Sequence, residues 1–335
     1  MMNHINVKTT LIILILFISC QDKNENRVIP KSLSQIYFAN YSDEDKLEFI
    51  QILSAKIKKG DYKLKTKRGA FYYILGEEEK SLVDFNQVLK IDSSNSDAYL
   101  GIAVHYWHRD STLFSQYINK TIHYNPENAF AYFLLASYRN NFENTLLDYN
   151  TAIKLEPDNA HYYFWRGEKY DFVDSVYLAH KDFKKAVELD STLIMAYAFL
   201  GIRAECEKKY DEALKYYSLM IKFDPENDWG YEDRGNLYYE MEMYEKAIAD
   251  YKNAVKHIKP IMLFKKEINL SKEQTFYYNI ALNYVFINID STYHYLELTF
   301  DKDSSFVDYA KNEDQFKEIK NTERFKNLID RYIKK

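Results

Sequence analysis

A pattern of 34 residues, written twice in succession, constrains the fold of this chain more than any other feature. Between residues 194 and 260, three kinds of position recur 34 residues later: Gly201 and Gly235, Ala213 and Ala247, Tyr217 and Tyr251. A fixed period of this length is the signature of a helical repeat, in which each unit packs on its neighbours. We therefore expect stacked pairs of helices rather than one globular core.

Each copy contains two amphipathic helices, which we call helix A and helix B. Apolar residues recur at three- and four-residue steps over roughly 195–207 and 211–223, which places them on one face of each helix. Glycine inside a helix costs about 0.5–1 kcal/mol relative to alanine. We expect Gly201 and Gly235 to let helix A approach helix B closely, with Ala213 and Ala247 opposite them. Equivalent small or turn-forming residues are expected to shape the repeat: Gly69, Gly167, Gly201, Gly235, Ala179, Ala213, Ala247, Pro157 and Pro225.

This pattern resembles the tetratricopeptide repeat (TPR) family, whose units carry an aromatic residue, Leu-Gly, Tyr, Ala, an aromatic residue, Ala and Pro at these offsets. The resemblance covers roughly residues 62–260 and, more loosely, 271–301. It implies an all-α fold, a right-handed superhelical solenoid of helix-turn-helix repeats with a peptide-binding groove. It also implies that helices at the C-terminal end cap the last repeat.

The resemblance divides the chain into a solenoid at 41–300 and C-terminal capping helices at 301–335. The clearest repeats are 62–95, 96–128, 129–159, 160–193, 194–227 and 228–260, and 271–300 is a degenerate one. Ser42 is predicted to cap the first helix, with Asp45 in the capping-box position. Residues 261–270 are interpreted as an insertion containing a short helix.

The N-terminus has the features of an export signal. Residues 1–19 carry Lys8 and the eight-residue apolar run Leu11–Ile18, which is too short to span a bilayer. Phe17-Ile18-Ser19-Cys20 resembles a bacterial lipobox, which implies that Cys20 is lipidated; an ordinary cleaved signal or a short anchor are the alternatives. Residues 20–40 are predicted to form a flexible tether. The predicted location is the bacterial cell envelope, with the outer membrane favoured and its periplasmic or surface side left open.

The composition favours helices and excludes some classes of partner. Hydrophobic residues make up 47% of the chain, with only 8 Gly and 5 Pro, which argues against a β-sandwich and against disorder. The net charge is −5 with Lys and Glu interspersed, so no basic stripe indicates nucleic-acid binding. Two cysteines, Cys20 and Cys206, give no disulfide framework.

Three repeats carry an arginine directly before the helix A glycine and an aspartate 16 residues later on helix B. These pairs are Arg68 and Asp84, Arg166 and Asp182, and Arg234 and Asp250. Our hypothesis is that each pair forms a partly buried ion pair between the two helices. The alternative is an arginine clamp for carboxylates of a ligand. The repeat with Leu135 and Asp148 departs from the pattern.

The candidates for catalysis or metal binding are weak. His105 and His108 are three residues apart, but without a third ligand in sequence reach they are interpreted as surface histidines of a helix. Cys206 is expected to be a small core residue rather than a nucleophile, because no base is adjacent in sequence. Glycine is too scarce for a phosphate-binding loop. We therefore predict no enzyme activity, no metal and no cofactor.

The TPR resemblance assigns the groove to particular positions of helix A. Transferred to this sequence, they are Thr66, Tyr73, Trp107, Phe130, Phe133, Asn140, Phe164, Glu168, Asp171, Ile202, Glu205, Trp229, Glu232, Asn236 and Tyr239. We call these the predicted groove residues. They are aromatic and acidic, which favours a basic or amide-rich partner segment, and aromatic residues are frequent interface hot spots. The alternative is that many of the aromatic residues pack against neighbouring helices.

These features predict a non-catalytic scaffold that is anchored to a bacterial envelope membrane and binds a partner protein or peptide segment. A surface lipoprotein that binds carbohydrate or another nutrient through groove aromatics is the alternative. A hydrolase is a third class, without a motif to support it.

Overall fold

The computed structural model describes residues 29–39, 41–58, 61–139, 141–258, 261–263, 266–268 and 272–333. Cys20 and the predicted signal peptide lie outside these residues. The chain divides into two compact units between Leu193 and Ile194, and each is described by itself.

The first unit consists of helices. They are α1 (Leu33–Phe38), α2 (Asp43–Lys58), α3 (Leu64–Ile74), α4 (Glu78–Ile91), α5 (Ser96–Tyr106), α6 (Ser111–Tyr124), α7 (Ala129–Tyr138), α8 (Phe142–Leu155), α9 (Ala160–Phe172) and α10 (Val176–Leu189). From α3 onward, consecutive helices pack as A/B pairs, and each helix A also contacts the helix B before it. Helix α2 packs on α3 in the place of a preceding helix B.

The second unit has the same kind of helix pairs. Its elements are α11 (Ile194–Cys206), α12 (Tyr210–Phe223), α13 (Asp228–Glu240), α14 (Tyr244–His257), β1 (Ile261–Leu263), β2 (Lys266–Ile268), α15 (Glu273–Tyr284), α16 (Ile289–Lys302), α17 (Phe306–Asn312), a 3₁₀ turn (Asp314–Phe316) and α18 (Glu323–Ile333). Helix α17, the 3₁₀ turn and α18 bury Val307, Phe316 and Phe325 against α15 and α16.

The prediction of an all-α TPR solenoid built from helix-turn-helix repeats is confirmed by this arrangement. The predicted bounds of α11 and α12 differ from the observed ones by about one residue. The expected helix within 261–270 is wrong, because β1 and β2 pair as an antiparallel hairpin in which Ile261 opposes Ile268. The apolar stretch there is too short for a helical period, and strand pairing satisfies backbone groups locally.

Polar residues start the helices as the sequence indicates. The Ser42 side chain accepts a hydrogen bond from the Asp45 amide at 3.1 Å, and Asp45 accepts one from the Ser42 amide at 3.3 Å. This reciprocal pair is the predicted capping box. After the Pro-containing turns, the side chains of Asn128, Asn159 and Asn227 cap α7, α9 and α13.

Gly201 and Gly235 of helix A lie closest to aromatic rings of helix B, rather than to the alanines expected opposite them, and Gly69, Gly101 and Gly167 also lie closest to such rings. A Cβ placed on Gly201 would lie 2.4 Å from the Tyr217 ring, and one on Gly101 would lie 2.2 Å from the Phe85 ring. Both distances are far below van der Waals contact. Ala213 is also buried between these two helices. It is the Tyr217 ring, however, that leaves no room for a side chain at Gly201.

The Arg–Asp hypothesis is confirmed in all three repeats that carry the pair. In each, arginine Nε and Nη2 donate to the two carboxylate oxygens at 2.7–2.8 Å. The remaining Nη1 donates to the preceding helix B: Arg68 to Ser54, Arg166 to Asn150 and Arg234 to Ser218. The arginines therefore join three helices, and the alternative of a clamp for ligand carboxylates is wrong. In the repeat that has Leu135 in place of the arginine, Asp148 pairs with Arg139 instead, at 2.8 Å.

Candidate functional site

The predicted groove residues of the first unit fall into two groups. Tyr73 is half-buried, whereas Phe130, Phe133 and Phe164 are at most 6% exposed. Phe164 packs between Trp165 and Phe183, with ring centroids 5.2 and 5.8 Å away. It therefore belongs to the interior of its helix pair, as the packing alternative proposed.

Tyr73, Phe130 and Phe133 are brought together, and what covers them is the chain's own α1. The Tyr37 ring stacks on Phe130 at 5.7 Å and meets the edge of Tyr73 at 6.0 Å. Phe38 meets Phe130 and Phe133 edge-on, both at 5.1 Å.

Helix α9 completes this surface with residues that the groove prediction did not include. The Phe38 ring lies parallel to the His161 imidazole, at 4.2 Å and 7°. Tyr162 lies 6.1 Å from Phe38 and 5.5 Å from Phe133. Burial lowers the pKa of His161 to about 4, so the imidazole is neutral at pH 7.

The tether prediction is therefore wrong for residues 33–38; its other residues up to 28, and residue 40, lie outside the described part of the chain. Leu33 and Ile36 are 3% and 0% exposed and share one face of α1, because residues three apart do so in a helix. The signal was present as Leu33, Ile36, Tyr37 and Phe38 within an otherwise polar stretch, but six residues give no repeat to align.

The remaining groove positions of the first unit are dispersed. Trp107 lies at the end of α5 and stacks on His108 at 4.5 Å, while its indole N–H is buried without a hydrogen-bond partner in the described structure. Glu168 pairs with Lys169 at 3.1 Å, and Asp171 is half-buried. Thr66 is 4% exposed and bonds the Lys63 carbonyl. Asn140 lies outside the described residues.

In the second unit the predicted groove residues keep more contact with solvent. Ile202 is 40% exposed and Asn236 is also exposed, whereas Glu205, Trp229, Glu232 and Tyr239 are half-buried.

Each polar groove position of this unit is held by a specific partner. Glu205 accepts from the Tyr217 hydroxyl and Asn236 from the Tyr251 hydroxyl, both at 2.7 Å. The ammonium group of Lys272 lies 3.2 Å from Glu232 and 5.6 Å from the Trp229 ring centroid. The Tyr239 hydroxyl accepts from Gln315 at 2.8 Å.

A half-buried carboxyl group that the sequence reasoning missed, that of Asp233, lies among these residues. Burial, followed by the negative charges of Glu232 and Glu205, raises the pKa of Asp233 to about 7, against the opposing effect of Lys272. Burial also raises the pKa of Glu205. Asp228, Glu232 and Asp233 lie within two turns of α13, which was the available signal. These carboxyl groups together with Glu205 outnumber the single ammonium group of Lys272 beside them.

Two predictions about reactive side chains are wrong. His105 is 8% exposed rather than on the surface, and burial together with Arg109 lowers its pKa. Cys206 is exposed rather than in the core, because it is the last residue of α11 and lies beyond the packed face. Within the described ranges, no group of three or more His, Cys, Asp or Glu is placed to hold a metal ion. No helix among the described residues is long and apolar enough to cross a bilayer.

The comparisons with known proteins agree with the repeat architecture. No protein-family model matches the chain. A TPR repeat-containing protein of Methanocaldococcus jannaschii is 26% identical over 196 residues, covering 51% of this chain and 32% of that protein. A Lipoprotein NlpI homolog of Haemophilus influenzae is 29% identical over 94 residues, covering 28% of this chain and 30% of that protein. The chain thus spans about a third of the length of these relatives.

A similar solved structure is YrrB, described as a TPR protein with an unusual peptide-binding site. It is 19% identical, with a TM-score of 0.45 over 58% of this chain and 97% of that chain. The 34-residue period, the paired helices and the curated relatives define this chain as a TPR repeat protein.

Proposed function

We propose that the chain is a non-catalytic TPR scaffold that binds a partner protein, or a segment of one, through helix A residues. The observation that carries the proposal is the acidic and aromatic surface of the second unit, formed by Ile202, Glu205, Trp229, Glu232, Asn236 and Tyr239. The neighbouring Asp233 has a pKa raised to about 7 by burial and by the carboxylates of Glu232 and Glu205. Positive charge brought by a partner would relieve this repulsion, so the surface favours a segment with Lys, Arg or amide side chains.

The scaffold is proposed to be held at a bacterial envelope membrane, the outer membrane, by lipid on Cys20. The support is the lipobox-like Phe17-Ile18-Ser19-Cys20 and the relative named as a lipoprotein. Stable anchoring by acyl chains needs more than one chain. Incorporation of an alkyne-labelled palmitate into the native chain, and its loss in Cys20→Ala, is the expected result. Equal labelling of both chains would contradict the anchor.

The partner-binding surface is tested by a crosslinked pulldown from membranes with two matched variants. Ile202→Lys adds a positive charge and bulk at an exposed position of the acidic surface. Leu178→Lys makes the corresponding change at a residue of α10 that is equally exposed, since both side chains are 40% accessible. One envelope protein should be captured by the native chain and by Leu178→Lys and lost with Ile202→Lys. Equal capture by all three, with native helical circular dichroism, would contradict this surface.

The carbohydrate-binding alternative is less well supported by the geometry. Stacking on a sugar requires an aromatic face open to solvent, and Phe130, Phe133 and Phe164 are at most 6% exposed. Trp229 is half-buried, with the Lys272 ammonium over its ring.

A further inference from the structure

Helix α1 lies on residues that the TPR resemblance assigns to partner binding. Three helices A supply this surface, which we call the aromatic cradle: Tyr73 of α3, Phe130 and Phe133 of α7, and His161 and Tyr162 of α9. The cradle and α1 both belong to the first unit. The chain therefore shows directly what kind of segment this surface accepts.

The occupant has a definite chemical pattern. Leu33 and Ile36 bury their aliphatic side chains, while Gln35 between them is exposed. Tyr37 and Phe38 then fill the cradle, with Phe38 in contact with four rings. Aromatic pairs at these separations add to the free energy gained from burial alone. The pattern is aliphatic, a small buried serine, an exposed polar residue, aliphatic, aromatic, Phe.

Two features of α1 favour its replacement by another segment. It has only six helical residues, far fewer than a helix needs to be stable by itself. The Tyr37 hydroxyl is buried and has no hydrogen-bond partner in the described structure. Burying a hydroxyl without a hydrogen-bond partner opposes binding. The aromatic cradle is therefore imperfectly matched to Tyr37, and a Phe at this position would fit better.

We propose that the aromatic cradle is a binding site for a short helical segment of this pattern, that α1 is its built-in occupant, and that a partner segment binds by displacing α1. This inference rests on the proposed partner-binding function and specifies the class of partner that the first unit accepts. Displacement is favoured when the incoming segment carries Phe in place of Tyr37, because no hydroxyl is then left unpaired.

The test uses the full chain and a labelled peptide. The probe is a fluorescein-labelled peptide of residues 29–39 with Tyr37→Phe, and its binding is followed by fluorescence anisotropy. Phe38→Ala in the chain should weaken the binding of α1 to the aromatic cradle. The fraction of chains with an unoccupied cradle then rises, so the probe should bind at least about tenfold more tightly than to the native chain. Tyr177→Ala, which alters an aromatic side chain that is 78% exposed on α10, should bind like the native chain. A probe that also carries Phe38→Ala should not bind.

Failure of the folded Phe38→Ala chain to bind the probe more tightly than the native chain would overturn the inference. If this variant does not fold, hydrogen exchange of the native chain decides. The α1 amides should exchange at least about tenfold faster than those of α7 and α9, since α1 opens without the rest of the unit. Equal rates would show that α1 opens only with the whole unit, and would overturn the inference.

These results are separable from those at Ile202. If Phe38→Ala does not tighten probe binding, but the pulldown still distinguishes Ile202→Lys from Leu178→Lys, only the aromatic cradle is overturned as a partner site. Loss of the Ile202 result alone overturns only the acidic surface.

Discussion

At the residue scale, the repeated Arg–Asp pairs do more than the sequence hypothesis proposed. Each guanidinium makes two bonds to a carboxylate on its own helix B and a third to the helix B before it. The carboxylates of Asp84, Asp182 and Asp250 are at most 6% exposed. Breaking a buried pair is costly because it leaves a charge without a partner.

We predict that Arg166→Ala destabilises the chain by about 3–5 kcal/mol, because Asp182 stays buried without its partner. The double change Arg166→Met/Asp182→Leu should cost clearly less, since no buried charge remains. Arg331→Ala is the matched control. Its partner Glu297 is 41% exposed against 5% for Asp182, so the loss of Arg331 leaves no buried charge and should cost under about 1 kcal/mol. Urea unfolding followed by circular dichroism measures all three, and equal costs for Arg166→Ala and Arg331→Ala would contradict the role of burial.

Asp233 predicts a pH dependence of stability. Its folded-state pKa of about 7 is above the ordinary value near 4. Between these pH values the folded chain therefore binds a proton that the unfolded chain has released. The free energy of unfolding then falls as pH rises through this window.

The expected result is that Asp233→Asn is more stable than the native chain at pH 8 and about equally stable at pH 4. Thermal unfolding at the two pH values measures this. Asp308→Asn, at a side chain that is 81% exposed, should follow the native profile. An Asp233→Asn chain with the native pH slope would show that Asp233 is not the group responsible.

At the scale of the elements, what determines the contact of helix A with helix B is a glycine meeting an aromatic ring. We predict that Gly201→Ala is destabilising, because its Cβ would lie 2.4 Å from the Tyr217 ring, whose hydroxyl is held by Glu205. Overpacking of this kind costs about 1–3 kcal/mol, which outweighs the gain of about 1 kcal/mol in helix propensity.

Gly235→Ala provides the comparison within the same chain. Its Cβ would lie 3.0 Å from the Tyr251 ring, so a small shift of the ring relieves the contact. Thermal unfolding should show a larger loss for Gly201→Ala than for Gly235→Ala. The reverse order would mean that helix propensity, rather than the distance to the ring, decides the outcome.

The helices and the Arg–Asp pairs were predictable because the repeat supplies several copies of one register. A position that is ambiguous in one copy, such as Asp182, is fixed by Asp84 and Asp250 at the same offset. Helix α1 had no such support, because it is a single short segment and its contacts, Tyr73, Phe130 and His161, lie far from it in sequence. The groove prediction identified Phe130 and Phe133 by register but could not show that α1 covers them.

At the scale of the whole molecule, we propose that one repeat provides two kinds of partner surface. In the first unit, aromatic helix A residues bury a segment of the chain itself. In the second, helix A residues are more polar, and their carboxylates outnumber the cationic group of Lys272 beside them. The differences lie in side chains at equivalent positions of the repeat, which is how one scaffold presents surfaces of different chemistry.

The most direct measurement of partner binding is hydrogen–deuterium exchange of the chain with and without the envelope protein captured in the pulldown. Binding through helix A residues predicts slower exchange in α11 and α13, which carry Ile202, Glu205, Trp229 and Glu232, and little change in α12 and α14. Protection confined to α12 and α14 would place the partner on the helix B side and contradict the proposed binding surface.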